Sequence, residues 1–470
     1  MELEKFFKPD AIAIVGVSKG DYRFGGLSYL EKLIQCGFSG PLYPINPKGG
    51  EIMGRRIYPD LASLPTVPDL CLVCVAAARV PGVLEECGRI GARRIHILTS
   101  GFKELGTPQG RELEERIADL AARHGLLVLG PNCMGPYCPS GRQTAWGAIP
   151  GRDGNLGLIS QSGGMVQRLT EYAAFLGVGI SKAVSFGNAT VLKEVDFLEH
   201  LGQDPPTKLI AMYLESVSNG PKFLSLAAGI NRQKPIILLK GGESRAGAVT
   251  AASHTGALAG NRAVWEGAVR QAGLTAVGSL DEWMDAISVF SFLPPARGRK
   301  VFVIGGGGGN SVCFSDICSR EGLAVPRLSA GTMDLLRKIA PQAGSIAGNP
   351  LDLWQVFTDA GFLIDILEAA FDDPVVDLIV VDRLIPRDAF HMPNAPNPTP
   401  EIIAYLKGKR DRKPVVFVVD SEGGDPDLAA RGASLRAEFG LAGLPALASL
   451  PRAARALAHF CRHHLEKDEK

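Results

Sequence analysis

Short apolar runs alternate with helix-period stretches along the whole chain. In the first 135 residues the runs are AIAIVGV, LYPINP, LCLVCVA, RIHILTS and LLVLGPN, separated by segments such as LSYLEKLIQCGF and RELEERIADLAARHG. Runs apolar on both faces and spaced by helical patterns predict buried strands of a doubly wound parallel sheet. A second set, NLGLISQ, SKAVSFGN, KLIAMYLES and PIILLKGG, predicts a further open sheet ending near Leu293, where Pro294 and Pro295 mark a linker. A third set starts at KVFVIGGGGGN, passes through VDLIVVDRL and KPVVFVVD, and ends in the alanine-rich helix LPRAARALAHFCRHHLEK. Between its strands HMPNAPNPTP, rich in Pro and Asn, predicts a surface loop. The expected architecture is α/β, with three open doubly wound domains over 1–145, 146–293 and 297–470, and with ligands at the carboxyl ends of the strands.

Length and charge narrow this picture. A chain of 470 residues is too long for one ordinary core and agrees with about three domains. Fifty Lys plus Arg against 49 Asp plus Glu leave a net charge of +1, so no global field favours nucleic acid or an anionic membrane. Any polyanion must be held locally. Nine scattered cysteines make no disulfide framework, the start MELEKFFKPD lacks a secretory pattern, and the apolar runs are too short to span a bilayer. The expectation is a cytoplasmic protein. Cys71 and Cys74 form a C-x-x-C without a second pair and read as core filling. His459, Cys461, His463 and His464 read as a frayed, charged helix end, and no metal site is expected.

Several strand ends carry candidate chemistry. In AIVGVSKGDYRFGG a strand runs into Gly16 and a polar turn, where backbone N–H groups, Ser18 and Lys19 can meet a phosphate. Lys48 in INPKGG follows the neighbouring strand, and the two lysines suit either a ligand with several phosphates or ordinary solvated surface. The absence of G-x-G-x-x-G argues against a standard dinucleotide site. In LISQSGG, Ser160, Ser162, Gly163 and Gly164 immediately precede a helix, an arrangement that makes an anion site; simple capping by Ser162 is the alternative. GGGGGN, with Gly308, Gly309 and Asn310, repeats it in the third domain, as either a close approach to backbone or a flexible turn. AASHTGALAG presents His254 among small residues in what reads as a mobile loop. A neutral imidazole is a nucleophile toward phosphorus when its other nitrogen donates to a carboxylate, and Glu215 in MYLESVSNG, ending a strand, can orient the ring.

Taken together and in order, AIVGVS, YPINPK, LGPNCMG, LISQSGG, SFGN, YLES, KPIILLKGG, SHTGALAG and NPLDL resemble the alpha subunit of the ADP-forming acyl-CoA synthetases, the acetate–CoA ligase group related to succinyl-CoA synthetase. The resemblance covers nearly the whole chain. It implies a Rossmann-like domain binding coenzyme A, a flavodoxin-like domain whose histidine is transiently phosphorylated, and a second flavodoxin-like ligase domain. By motif it implies that Gly16, Ser18, Lys19, Lys48 and Ser100 of LTSGF face coenzyme A and that Asn132 and Cys133 border the acyl site. His254 would be the phosphohistidine and Glu215 its orienting carboxylate. Ser160, Ser162, Gly163 and Gly164 would cradle the phosphate from one side, with Gly308, Gly309 and Asn310 on the other. The implied sequence is attack of the coenzyme A thiol on an acyl phosphate, passage of the released phosphate to His254, and carriage to ADP by a mobile loop, each step reversible. No G-x-x-x-x-G-K-[ST] and no nucleotide-grasp segment is found, so ATP or ADP and Mg²⁺ are expected on an ATP-grasp beta subunit, in a hetero-oligomer acting on a small carboxylic acid.

A second reading, from a different class, is a non-catalytic module sensing coenzyme A or a nucleotide, or regulating another enzyme. His254 with Glu215 discriminates, because a sensor needs no nucleophile. A Rossmann oxidoreductase is weakened by the missing fingerprint.

Overall fold

A computed structural model of the chain describes residues 2–18, 25–255, 262–305, 307–340, 347–383, 397–409, 411–421 and 425–466. It divides into two compact units, one of Met1–Ala174 with Gly179–Gly278, the other of Phe175–Val178 with Ser279–Lys470. Among the described residues no helix is long and apolar enough to cross a membrane.

Among its described residues the first unit holds two large sheets and a two-stranded hairpin. Strands β1 (Ile12–Val15), β2 (Leu42–Ile45), a hairpin of β3 (Gly50–Ile52) and β4 (Arg55–Ile57), β5 (Leu70–Val73), β6 (Arg94–Ile97) and β7 (Leu127–Leu129) come first. All but the hairpin form a parallel sheet ordered β2-β1-β5-β6-β7. The chain reverses direction across the sheet beside β1, so the crevice at its carboxyl edge lies where the loops after β1 and β5 part. The second sheet contains β8 (Gly135–Tyr137), β9 (Asp153–Ser160), β10 (Ile180–Ser185), β11 (Leu209–Leu214), β12 (Ile236–Lys240) and β13 (Thr275–Val277), ordered β13-β12-β11-β9-β10-β8. Only β8 runs antiparallel, at the edge. Its residues were expected in the first domain, but Gly135 to Tyr137 pair with β10, so the second sheet begins before residue 146.

The second unit holds a four-stranded parallel sheet of β14 (Val301–Ile304), β15 (Leu378–Asp382), β16 (Val415–Val418) and β17 (Ala446–Leu447), in that order. Both of its faces are covered, as a continuous apolar run requires: Val301 and Val303 join one core, Phe302 and Ile304 the other. Helix Leu280–Phe292, expected in the middle domain, packs on helix Leu450–Leu465 of this unit. That C-terminal helix is not frayed over its described length, because Cys461 and His463 lie buried against the unit's core.

Candidate functional site

The loop after β1 is shaped by Gly16. Its φ is +100°, and a Cβ there would stand 2.5 Å from the Cys74 carbonyl oxygen, so only glycine lets the strand turn so close to its neighbour. Ser18 is exposed just beyond it, and Lys19 lies outside the described residues. Lys48 is exposed at the end of the adjacent β2. Asn46, which sequence reasoning passed over, joins the two loops: its Nδ2 donates to the Val17 carbonyl at 2.8 Å and its Oδ1 accepts from the Lys48 N–H at 3.0 Å.

A cavity of about 300 Å³ brings Ser100, Asn132, Cys133, Ser162, Gly163 and Gly164 to one place, residues up to 64 positions apart (164 minus 100) on loops of both sheets. On its second-sheet side β9 runs into helix Gly163–Phe175. Ser162 caps the helix, its Oγ accepting from the Met165 N–H at 3.4 Å. Ser160, expected to cradle a phosphate, is buried and committed elsewhere. Its Oγ donates to the Ser162 carbonyl at 2.7 Å and accepts from the Ser162 N–H at 3.1 Å, so it shapes the turn rather than lining the cavity. The two glycines differ. A Cβ on Gly163 would stand 2.7 Å from Met134 Cγ, whereas one on Gly164 would meet nothing within 4 Å. Packing demands the first, and the second leaves room at the N-terminal turn.

On the other side the cavity wall is neutral at its base. Burial raises the Cys133 thiol well above the ordinary cysteine range, so it lines the cavity as an uncharged thiol. Burial likewise pushes the imidazole of His96 down to about 4, only partly offset by its contact with the Cys133 carbonyl. Around this base runs a polar network that the sequence reading missed. Glu104 accepts from the N–H groups of Gly101 and Phe102 at 2.6 and 3.1 Å and from Asn188 Nδ2 at 2.7 Å. Partial burial alone would raise its pKa, but these hydrogen bonds outweigh it and hold the carboxyl below the usual range. Glu114 accepts from Asn188, Thr190 and Lys103.

Glu215 ends β11 and is buried. Its N–H donates to Gln161 Oε1 at 2.9 Å, its Oε1 accepts from the Tyr213 hydroxyl at 3.1 Å, and its carbonyl accepts from Lys240 Nζ at 2.7 Å. The structure does not bring Glu215 into the 300 Å³ cavity; it lines a larger one of about 770 Å³ with Lys240, Phe223 and Trp265. Gln161 lines the smaller cavity and binds the Glu215 backbone, which ties the two places together. His254 was expected on a loop. Its backbone instead lies in the last turn of helix Arg245–Thr255, because Ala246, Ala248, Ala251 and Ala252 favour helix, while its side chain and residues 256–260 lie outside those described. This helix packs against the turn Lys103–Leu105, which carries Glu104. In the second unit Gly308, Gly309 and Asn310 form the exposed first turn of helix Gly307–Arg320.

Comparison with known proteins agrees with this layout. Residues 10–139 match a family model described as a CoA binding domain, and residues 153–290 one described as a succinyl-CoA ligase like flavodoxin domain. The chain is 36% identical over 358 residues to the alpha subunit of ADP-forming acetate–CoA ligase I of Pyrococcus furiosus, covering 75% of this chain and 77% of that one. It is 34% identical over 352 residues to ADP-forming acetate–CoA ligase I of Archaeoglobus fulgidus, which covers 75% of this chain but 50% of the relative, so the chain spans half of that protein's length. Among solved structures, the dinucleotide forming acetyl-coenzyme A synthetase 1 of Ca. Korarchaeum cryptofilum, in complex with phosphate and ADP, matches with a TM-score of 0.87 and 32% identity, over 100% of this chain and 98% of that one. Fold and site define an acid–thiol ligase of the acyl-CoA synthetase class. Within that class, the chain belongs to the family of ADP-forming acetate–CoA ligase alpha subunits.

Proposed function

We propose that this chain, with an ATP-grasp partner subunit that holds ATP and Mg²⁺, converts a small carboxylic acid and coenzyme A to an acyl-CoA through a phosphorylated His254 and an acyl phosphate. The observation that carries the reading is the convergence of Ser100, Asn132, Cys133, Ser162, Gly163 and Gly164 on one cavity, with the helix bearing His254 packed on the neighbouring turn Lys103–Leu105.

The order of steps follows from bond energies. Phosphate released by thiolysis carries no activated bond, so it cannot phosphorylate His254, and the sequence implied by the motifs must be reordered. The γ-phosphoryl group of ATP passes to the His254 ring, releasing ADP. The carboxylate oxygen of the acid then attacks that phosphorus, forming acyl phosphate and freeing the imidazole. The coenzyme A sulfur attacks the acyl carbon, the carbon–oxygen bond to phosphate breaks, and the thiol proton ends on the departing phosphate. Every step reverses. Ser162 and the N–H groups of the helix start face the phosphoryl oxygens, and the room left by Gly164 admits them. Glu215, fixed by Tyr213, Gln161 and Lys240, is the carboxylate assigned to orient His254. Gly16, Ser18 and Lys48, following adjacent strands, are assigned to the coenzyme, together with Lys19 of the same stretch of sequence.

The sensor reading lacks a comparable observation. A direct test is Gly164→Val, which fills the space at the helix start. With partner, ATP, acetate and coenzyme A, thiol consumption should fall about tenfold or more while the melting temperature stays near the native value. Unchanged consumption would remove the phosphate from this helix end.

A further inference from the structure

Asn188 closes the SFGN stretch and is 4% exposed, yet it touches three loops at the cavity. Its Nδ2 donates to Glu104 Oε2 at 2.7 Å and to Glu114 Oε2 at 2.9 Å, and its Oδ1 accepts from Asn132 Nδ2 at 3.4 Å. Its backbone is held as well, the N–H donating to the Pro131 carbonyl at 3.0 Å and the carbonyl accepting from Lys103 Nζ at 2.7 Å. Carboxylates only accept, so both amide hydrogens of Asn188 must face the two glutamates, and its oxygen is thereby turned to Asn132. Asn132 in turn gives one N–H to Asn188. That bond uses one N–H of the Asn132 carboxamide and leaves the second to spare on a residue that lines the cavity.

The Asn132 backbone is fixed just as firmly. It sits at φ +60°, its N–H donates to the Thr99 carbonyl at 2.9 Å, and Gly187 lies so close that a Cβ there would overlap the Asn132 carbonyl oxygen. So much fixation of one amide suits a donor that must be aimed before the reaction begins.

We propose that Asn132 donates its second side-chain N–H to the carbonyl oxygen of the acyl phosphate as the thiol attacks, and that Asn188 is the positioning residue that aims it. The inference rests on the thiolysis step above. There the carbon–sulfur bond forms before the carbon–oxygen bond to phosphate is fully broken, and the carbonyl oxygen carries negative charge meanwhile. A donor already in place stabilises that charge without reorganisation. Glu104 and Glu114 act one step further back, by fixing Asn188.

The test measures acyl-CoA formation from acetyl phosphate and coenzyme A by the chain with its partner, and in parallel the phosphorylation of His254 by ATP. Asn188→Ala should lower kcat for acyl-CoA formation about tenfold to a hundredfold, with KM for coenzyme A changed no more than about threefold and His254 phosphorylation intact. Asn132→Ala should lower kcat at least as much, and the double variant should be no slower than Asn132→Ala alone, because Asn188 acts only through Asn132. Should Asn188→Ala lose His254 phosphorylation, a sign of misfolding, Asn188→Ser takes its place in the same comparison. A kcat within twofold of native, or losses that multiply in the double variant, would overturn the inference while leaving the ligase reading intact. A native chain that neither forms acyl-CoA nor phosphorylates His254 overturns both.

Discussion

His96 shows how a single buried group sets the chemistry around it. Its ring lies on β6, 1% exposed, with Nε2 3.1 Å from the carbonyl of Cys133, which lines the cavity, and Gly135 so close that any side chain there would overlap the imidazole. Burial pushes its pKa down to about 4, against about 6.5 in an unfolded chain, so the ring is neutral and donates to Cys133. Between those values the unfolded state binds the extra proton. The stability this group contributes is therefore present above pH 6.5 and lost as pH falls toward 4, by about 3 kcal/mol over the window and about 2 kcal/mol by pH 5. Urea unfolding at pH 7 and pH 5 checks it: the native chain should lose about 2 kcal/mol more than His96→Gln. Equal losses would contradict the assignment. In the sequence His96 was one residue of a strand, without a sign of its charge state. Ser162 and Glu215 were singled out because each follows an apolar run at a strand end, and Asn132 entered through the family resemblance. Glu104, Glu114 and Asn188 were not. Their partners lie up to 84 positions away, and an acid or amide in a loop carries no local pattern.

Among the elements, strands such as β1, β5, β12 and β14 were the easiest to read, since strands covered on both faces appear as apolar runs. The hairpin of β3 and β4 and the edge strand β8 escaped notice, because they are three residues each and carry Gly, Pro and charged residues. The His254 segment was read from its small residues as a loop, but alanine serves helices as well, and helix won through Thr255. The short N-terminal helix Glu4–Phe7 gave no helical signal by length, and tertiary contacts hold it. Lys182 on β10, 2% exposed, contacts Asp204 and lies 3.0 Å from Glu4 of that helix, while Phe7 stacks on His200 at 5.4 Å. Lys182→Met leaves Asp204 buried without its cation and should cost about 3 to 5 kcal/mol in urea unfolding. A cost below about 1 kcal/mol would mean the lysine is incidental to the docking.

For the whole molecule, three open sheets were expected, and the described residues form three mainly parallel sheets besides the β3-β4 hairpin, the first two sharing one compact unit and the third standing in another. Their boundaries differ from the expected ones because β8 pairs across to the second sheet and helix Leu280–Phe292 packs with the C-terminal unit, and neither contact has a signature in linker composition. The ordered motifs pointed to the ligase family, which relatives of like length and a matching solved structure bear out. What no local pattern could supply was the cavity itself, assembled from loops of two sheets. Passage of the phosphoryl group through His254 of this chain is what makes the chain a ligase subunit rather than a binding module. The decisive measurement is the intact mass of the chain after incubation with ATP, Mg²⁺ and its ATP-grasp partner, for the native sequence and for His254→Ala. The native chain should gain one acid-labile phosphoryl group and the variant none. An equal gain on both, or none on the native chain beside an active partner that still meets coenzyme A bound to this subunit, would contradict that passage through His254.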